Sequence, residues 1–363
     1  MTDTPVPTAA STAPPTVSVV MPAYNGATLI GETLASLQAQ TFTDFEVIVV
    51  DDHSTDDTLA VVRAWPDPRI RVIQTPVNGG PVKARNLGVA HARGRYIAGL
   101  DHDDLCASGR FAAQVAWLDA HPASPMVATN VAFLRDGVVS PSSYPVTTSP
   151  ALIGWLLQIE NPLAWSTVMI RGDVARGLDP FSRHDRLYAE DFDLYHRLSR
   201  VGPVARLDDV LVQYRQHPGG VSKLFAERMR VSATMVMADA HRPAQGDAAE
   251  GIATLFVEHL MMGRPVGDRA TLAALAEALT AVQRTYLTTH DCSPEDRDRI
   301  ARETAKRWAR VQRTALRSGA LGVRDILGVP FRQPGYGGIG ARELAASGVV
   351  GGVRGLRRRF AAA

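Results

Sequence analysis

Three aspartates in four positions, Asp101, Asp103 and Asp104, end the apolar run RYIAGL. Like charges this close repel one another unless a cation neutralises them. A hard divalent ion, Mg²⁺ or Mn²⁺, accepts such oxygen ligands and keeps places for substrate phosphates. The cluster therefore reads as a metal site completed by a diphosphate. It reads equally as a loop in which Asp104 or Ser108 caps the next helix. Asp51 and Asp52 break a second apolar run, EVIVV. A carboxylate at such a place can accept hydrogen bonds from a nucleobase or ribose. The same DDHSTDD stretch is also a good helix start, with Ser54 or Thr55 as cap. A third acidic pair, Glu190-Asp191, lies near the start of LYAEDFDLYHRLSRVG.

The flanking elements decide whether these groups meet. VSVVM (17–21), EVIVV (46–50), IRVIQ (70–74) and RYIAGL (95–100) are short runs rich in β-branched residues and broken by polar ones, the pattern of buried strands. Between them, 27–40, 55–64 and 82–92 show helical spacing, as with Ile30, Leu34 and Leu37. Strand alternating with helix predicts a parallel, doubly wound α/β sheet. Ligands of such sheets bind at the carboxyl ends of the strands. Pro22–Tyr24, Asp51–Asp52 and Asp101–Asp104 all fall there. Further strands are expected at 126–134, 166–170 and 210–216, helices at 109–120, 151–160 and 187–202, and a loop at 139–150. From about residue 223 strand signals vanish and helical periodicity takes over.

The 363 residues are 45% hydrophobic with a formal net charge of +2. That suits a globular chain with a sizeable core and gives no charge argument for nucleic acid. Two cysteines, Cys106 and Cys292, make neither a disulfide framework nor a zinc spacing, which fits a reducing cytoplasm. No run reaches the ~18 apolar residues of a membrane span. Residues 1–15 read as a disordered leader, 16–222 as the α/β domain, 223–330 as a helical region and 331–363 as a glycine-rich, basic, flexible tail. The tail carries Arg354, Arg357, Arg358 and Arg359. These are either a solubilising terminus or a contact for anionic lipid on the inner face of a membrane, worth about 1 kcal/mol per basic residue.

PAYN, QTFTDFEVIVVDDHSTDDT, ARNLG, LDHDD, AEDFDL and YRQHPGGVS occur in that order over Thr16 to Ser222. Together they resemble the family 2 inverting glycosyltransferases of the GT-A fold, a Rossmann-like nucleotide-diphospho-sugar transferase architecture. The helical region carries no motif of that family. The resemblance implies that Pro22, Ala23 and Tyr24 line a nucleotide pocket and that Asp52 binds the base. It places Asn78, Gly79, Lys83, Arg85 and Asn86 near the nucleotide or its phosphates. It makes Asp101 and Asp103 the DxD element, with Asp101 towards ribose or metal, Asp103 ligating Mn²⁺ or Mg²⁺ and His217 close by. Asp191 matches the catalytic base and Glu190 its support. Trp165 either stacks on an acceptor sugar or packs in the core.

The implied reaction moves a sugar from a UDP- or GDP-sugar to the hydroxyl of a glycan, a lipid-linked intermediate or a small molecule. The extra helices serve dimerisation or buttress the sheet. A rival reading is a catalytically silent protein that binds sugar or nucleotide. A receiver domain and an aspartyl-phosphate phosphatase are excluded by order, because their acidic motifs end the first strand and here PAYN does.

Overall fold

The computed structural model describes residues 13–217, 224–336 and 340–361. The first elements are β1 (Val17–Ala23), α1 (Ile30–Gln38), β2 (Phe45–Asp51), α2 (Thr58–Arg63), β3 (Ile70–Gln74), α3 (Gly80–His91) and β4 (Tyr96–Gly99). The four strands pair in parallel in the order β3-β2-β1-β4. Every residue of β1 and β2 is buried. Their alternate side chains feed two cores, Val19 and Met21 on one face and Val20 on the other. This is why both strands are unbroken apolar runs.

Beyond β4 the sheet becomes mixed. β8 (Met169–Arg171) is antiparallel to β4, and β6 (Met126–Arg135) is antiparallel to β8 and parallel to β9 (Ala205–Arg215). β5 (Leu105–Cys106) pairs with β9, and β7 (Val138–Pro141) with β6. The strand expected at 166–170 begins only at Met169, after a 3₁₀ turn at Trp165–Thr167. β7 lies where a loop was expected; its four residues are all exposed, so no apolar alternation marks it.

The remaining helices are α4 (Arg110–Ala120), α5 (Pro150–Leu157), α6 (Gly172–Gly177), α7 (Glu190–Ser199), α8 (Ala226–Gln245), α9 (Ala249–Phe256), α10 (Arg269–Thr289), α11 (Pro294–Ser318), α12 (Val323–Leu327) and α13 (Ala341–Ala361). The α/β architecture with a helical C-terminal region is thus as expected. The change near residue 223 is one of secondary structure; the core runs across it. One buried cluster joins Val20 and Ile48 of the sheet to Leu279, Trp308 and Phe331. α5 is the joint: Trp155 Nε1 donates to Thr304 Oγ1 at 2.9 Å, and Tyr286 Oη to the Ala151 carbonyl at 2.8 Å.

Within the stretch expected to be a flexible tail, residues 341–361 are helical, and one glycine there serves close packing. A Cβ on Gly351 would stand 1.9 Å from the Leu316 carbonyl oxygen of α11, so only glycine lets α13 approach so near. Arg313 of α11 pairs with Glu343 at 2.5 Å. The leader's residues 1–12 and the PGGVS stretch (218–222) lie outside the described residues, and no helix among those described is long and apolar enough to cross a membrane.

Gly88 of α3 sets how closely the helix sits on the sheet: a Cβ there would meet Val20 Cγ1 at 2.5 Å and Val50 Cγ2 at 3.4 Å. Overpacking of this kind costs about 1–3 kcal/mol. Gly88→Ala should therefore lower the midpoint of thermal unfolding. An unchanged midpoint would show that α3 is not seated this tightly.

Candidate functional site

The strand ends β1, β2 and β4 bring their loops together, and hydrogen bonds lock two of them. Asn25, at φ 49°, accepts at Oδ1 from the Thr55 N–H at 2.8 Å, and its own N–H donates to Ser54 Oγ. The Gly26 N–H donates to Thr58 Oγ1 at 2.7 Å. Pro22 and Ala23 are buried in the strand end, while Tyr24 is 44% exposed at the mouth.

Asp52, expected at the nucleobase, is 3% exposed and fully engaged within the chain. Its carboxylate accepts from the Gly80 N–H at 2.7 Å, the Gly79 N–H at 2.9 Å and Thr75 Oγ1 at 3.0 Å. Gly79 and Gly80 open α3, whose first amides have no partner inside the helix. Asp52 therefore caps α3, where the helix dipole also favours a negative charge. The unengaged oxygen at this strand end belongs to Asp51: its Oδ1 is buried with no partner. Asn78 and Lys83 are exposed beside this cap, with Asn78 Nδ2 donating to the Asp52 carbonyl at 3.2 Å. Asn86 lies elsewhere. Its amide is tied both ways to the Ser182 backbone, at 2.7 and 2.9 Å.

The centre of the site is Arg85, buried on α3. Its Nη1 donates to Glu190 Oε1 at 2.7 Å and its Nη2 to Asp101 Oδ1 at 3.3 Å. Burial works against its charge, but Asp101, Glu190 and Asp191 outweigh that and raise its pKa. Trp165 lies against this guanidinium, 4.6 Å from carbon to ring centroid, and is only 4% exposed. Its ring packs on Arg85 and Phe181, so the core reading of Trp165 fits better than a sugar platform.

Asp191 follows Glu190 in the first turn of α7. Its Oδ1 accepts from the Phe192 N–H at 2.7 Å and its Oδ2 from Asn161 Nδ2 at 3.2 Å. Burial first, then the Glu190 charge, push its carboxyl up to about 6, against the pull of Arg85. A group poised there can take a proton near neutrality. Tyr195, buried on the same helix with an unpartnered hydroxyl, is also pushed up by burial and by Asp191.

In the acidic loop, burial raises Asp101 and raises Asp104 further, with the neighbouring aspartates adding to both. Asp104 Oδ1 accepts from the Arg215 N–H at 2.8 Å, while its Oδ2 is buried without a partner. Asp103 Oδ2 lies 2.9 Å from His217 Nε2. Arg215, at the end of β9, clamps the loop by donating to the Asp103 carbonyl at 2.8 Å and to Glu32 of α1 at 2.6 Å. Arg215, Asn161 and Tyr195 were not anticipated. Only Arg215 had a signal, its place in YRQHPGGVS.

Asp101, Asp103, Arg85, Glu190, Asp191 and His217 thus belong to one connected set. A cleft of ≈ 440 Å³ opens on a different face of α7, towards α8, lined in part by Asp193, His196, Arg197 and Arg200; the acid pair does not line it.

The family model described as Glycosyl transferase family 2 matches residues 18–159. The UDP-Glc:alpha-D-GlcNAc-diphosphoundecaprenol beta-1,3-glucosyltransferase WfaP of Escherichia coli is 32% identical over 220 residues, 60% of this chain and 84% of that protein. The putative glycosyltransferase EpsE of Bacillus subtilis is 32% identical over 193 residues, 52% of this chain and 68% of that protein. Among solved structures, S. aureus TarS 1–349 in complex with UDP-GlcNAc superposes with a TM-score of 0.52 at 20% identity, over 95% of this chain and 92% of that one. The mannosyltransferase PcManGT of Pyrobaculum calidifontis, in complex with GDP-Man and Mn²⁺, gives 0.50 at 19% identity, over 95% and 88%. The two structures share the GT-A fold, and the relatives carry the kinship: this chain is a member of glycosyl transferase family 2.

Proposed function

We propose that this glycosyltransferase inverts configuration, moving a sugar from a nucleoside diphosphate to an acceptor hydroxyl with Asp191 as general base. One observation carries the reading: Arg85 ties the acid pair to the acidic loop, so base and donor-holding groups share one rigid site. The ionised Asp191 takes the proton of the acceptor hydroxyl as its oxygen attacks the anomeric carbon. The bond to the diphosphate breaks on the opposite face. Burial first, then the charge of Glu190 held by Arg85, push the Asp191 carboxyl up to about 6, which makes its ionised form a stronger acceptor for that proton.

The residues fit a divalent cation in part. Asp103 and His217 offer a carboxylate and an imidazole 2.9 Å apart, and the buried, unpartnered oxygen of Asp104 leaves an open acceptor beside them. No set of three His, Cys, Asp or Glu converges among the described residues, so diphosphate and water would complete the shell. A bound Mg²⁺ or Mn²⁺ would offset charge on the departing diphosphate.

The structural neighbours are solved with UDP-GlcNAc and with GDP-Man, which favours a UDP- or GDP-hexose donor. WfaP is named for a diphosphoundecaprenol acceptor. A lipid-linked acceptor of that kind would bring the enzyme to a membrane surface, which would attract the arginine-rich end of the sequence.

Asp191→Asn should cut transfer about 10²–10⁴-fold while calorimetry shows unchanged donor affinity. Full turnover by this variant would remove Asp191 as the base. In the wild type a base must be ionised to act, so kcat should fall as pH drops through about 6. A profile flat to pH 4.5 contradicts the assignment. Asp103→Asn and His217→Ala should each shrink the rise in melting temperature that UDP or GDP with Mn²⁺ produces in the wild type. An undiminished rise would place the cation elsewhere.

A further inference from the structure

The loop that touches Asp191 is held from outside the sheet. Asn161 bonds Asp191, and the residue before it, Glu160, is buried against α11. Arg307 Nε donates to Glu160 Oε1 at 2.8 Å, and its Nη2 donates to the same oxygen. Arg310 Nη2 stands 3.6 Å from Glu160 Oε2. Arg307 is itself fixed by Glu303 one turn earlier, through Nη1 to Oε2 at 2.8 Å. Arg307 and Glu160 are 7% and 8% exposed.

Apolar side chains would join α5 to α11 as firmly, since a buried ion pair is seldom the most stable choice. What two donors to one oxygen add is direction. They fix the backbone at residue 160, from which the Asn161 amide reaches the base. They also cancel a charge. The groups around Asp191 are Glu190 and Tyr195 on its own helix, Arg85 of α3 with Asp101 beyond it, Asn161, and Tyr144 in the loop after β7. Burial first, then Glu160 and Asp191, push the Tyr144 hydroxyl up to about 12.

We propose that Arg307 is a positioning residue for the acid pair, acting through Glu160 and Asn161 on Asp191. The helical C-terminal region is then part of the catalytic apparatus. The inference deepens the proposed function and rests on Asp191 being the base.

The test is the titration of Asp191 in the full chain, followed by ¹³C-carboxyl NMR and assigned by difference from Asp191→Asn. It needs no substrate. The Asn161 hydrogen bond holds the Asp191 carboxyl down, so Arg307→Gln, by releasing Glu160 and with it Asn161, should raise the Asp191 midpoint by about half a unit or more. Asn161→Ala removes the same bond directly and should raise it as much, and the double variant Asn161→Ala/Arg307→Gln should rise no further than Asn161→Ala alone. A purely structural role would lower the melting temperature of Arg307→Gln and leave the midpoint where it was. An unmoved midpoint in Arg307→Gln, or an additive rise in the double variant, overturns the proposal. Should Arg307→Gln fail to fold, Glu160→Gln must show a rise in the same direction, and no rise is equally fatal. If instead Asp191→Asn retains turnover, the base reading falls, while the titration still reports whether Arg307 acts on Asp191.

Discussion

The site depends on one buried cation. Arg85 reaches Asp101 at the end of β4 with one guanidinium nitrogen and Glu190 at the start of α7 with another. These carboxylates lie almost ninety residues apart in the chain. Without the guanidinium between them, Asp101, Glu190 and Asp191 would face one another uncompensated, and removing one partner of a buried pair such as Arg85–Glu190 costs about 3–5 kcal/mol. The Trp165 face completes the cage at 4.6 Å, a contact worth about 2 kcal/mol when shielded from water. Arg85 thereby fixes distance and charge together: it places the acid pair beside the acidic loop, and it keeps the Asp191 carboxyl from rising further.

Around that cation, burial sets two behaviours for the same residue type. Asp52 spends its charge on the first amides of α3, and so fixes the helix that presents Arg85. Asp101, Asp104 and Asp191 are instead pushed up by burial and by neighbouring carboxylates, Asp103 for the first two and Glu190 for the third. The first kind of aspartate holds the scaffold. The second kind is poised to accept a proton or a cation.

The first four strands were legible because each is short, β-branched and stopped by polar residues, which also placed three clusters, two of them acidic, at one sheet edge. The acid pair and the DxD loop were legible as motifs. What sequence hid was long-range. Asp52 caps a helix 27 residues away. Asn161 reaches Asp191 from a turn, and Arg307 of a distant helix bonds the Glu160 beside it, with no local pattern to mark either. β7 is an exposed edge pair without alternation, and Gly351, in a stretch read as loop, is a contact point of a helix. A residue type tells what chemistry is available; which face it meets is decided by packing.

The account stands on donor and base meeting at Arg85. A crystal structure with UDP-GlcNAc or GDP-mannose and Mn²⁺ measures this directly. It should show the diphosphate against Asp103 and His217 and the sugar between Asp101 and Asp191. A nucleotide lying in the arginine-lined cleft behind α7, or a sugar far from Asp191, would contradict it.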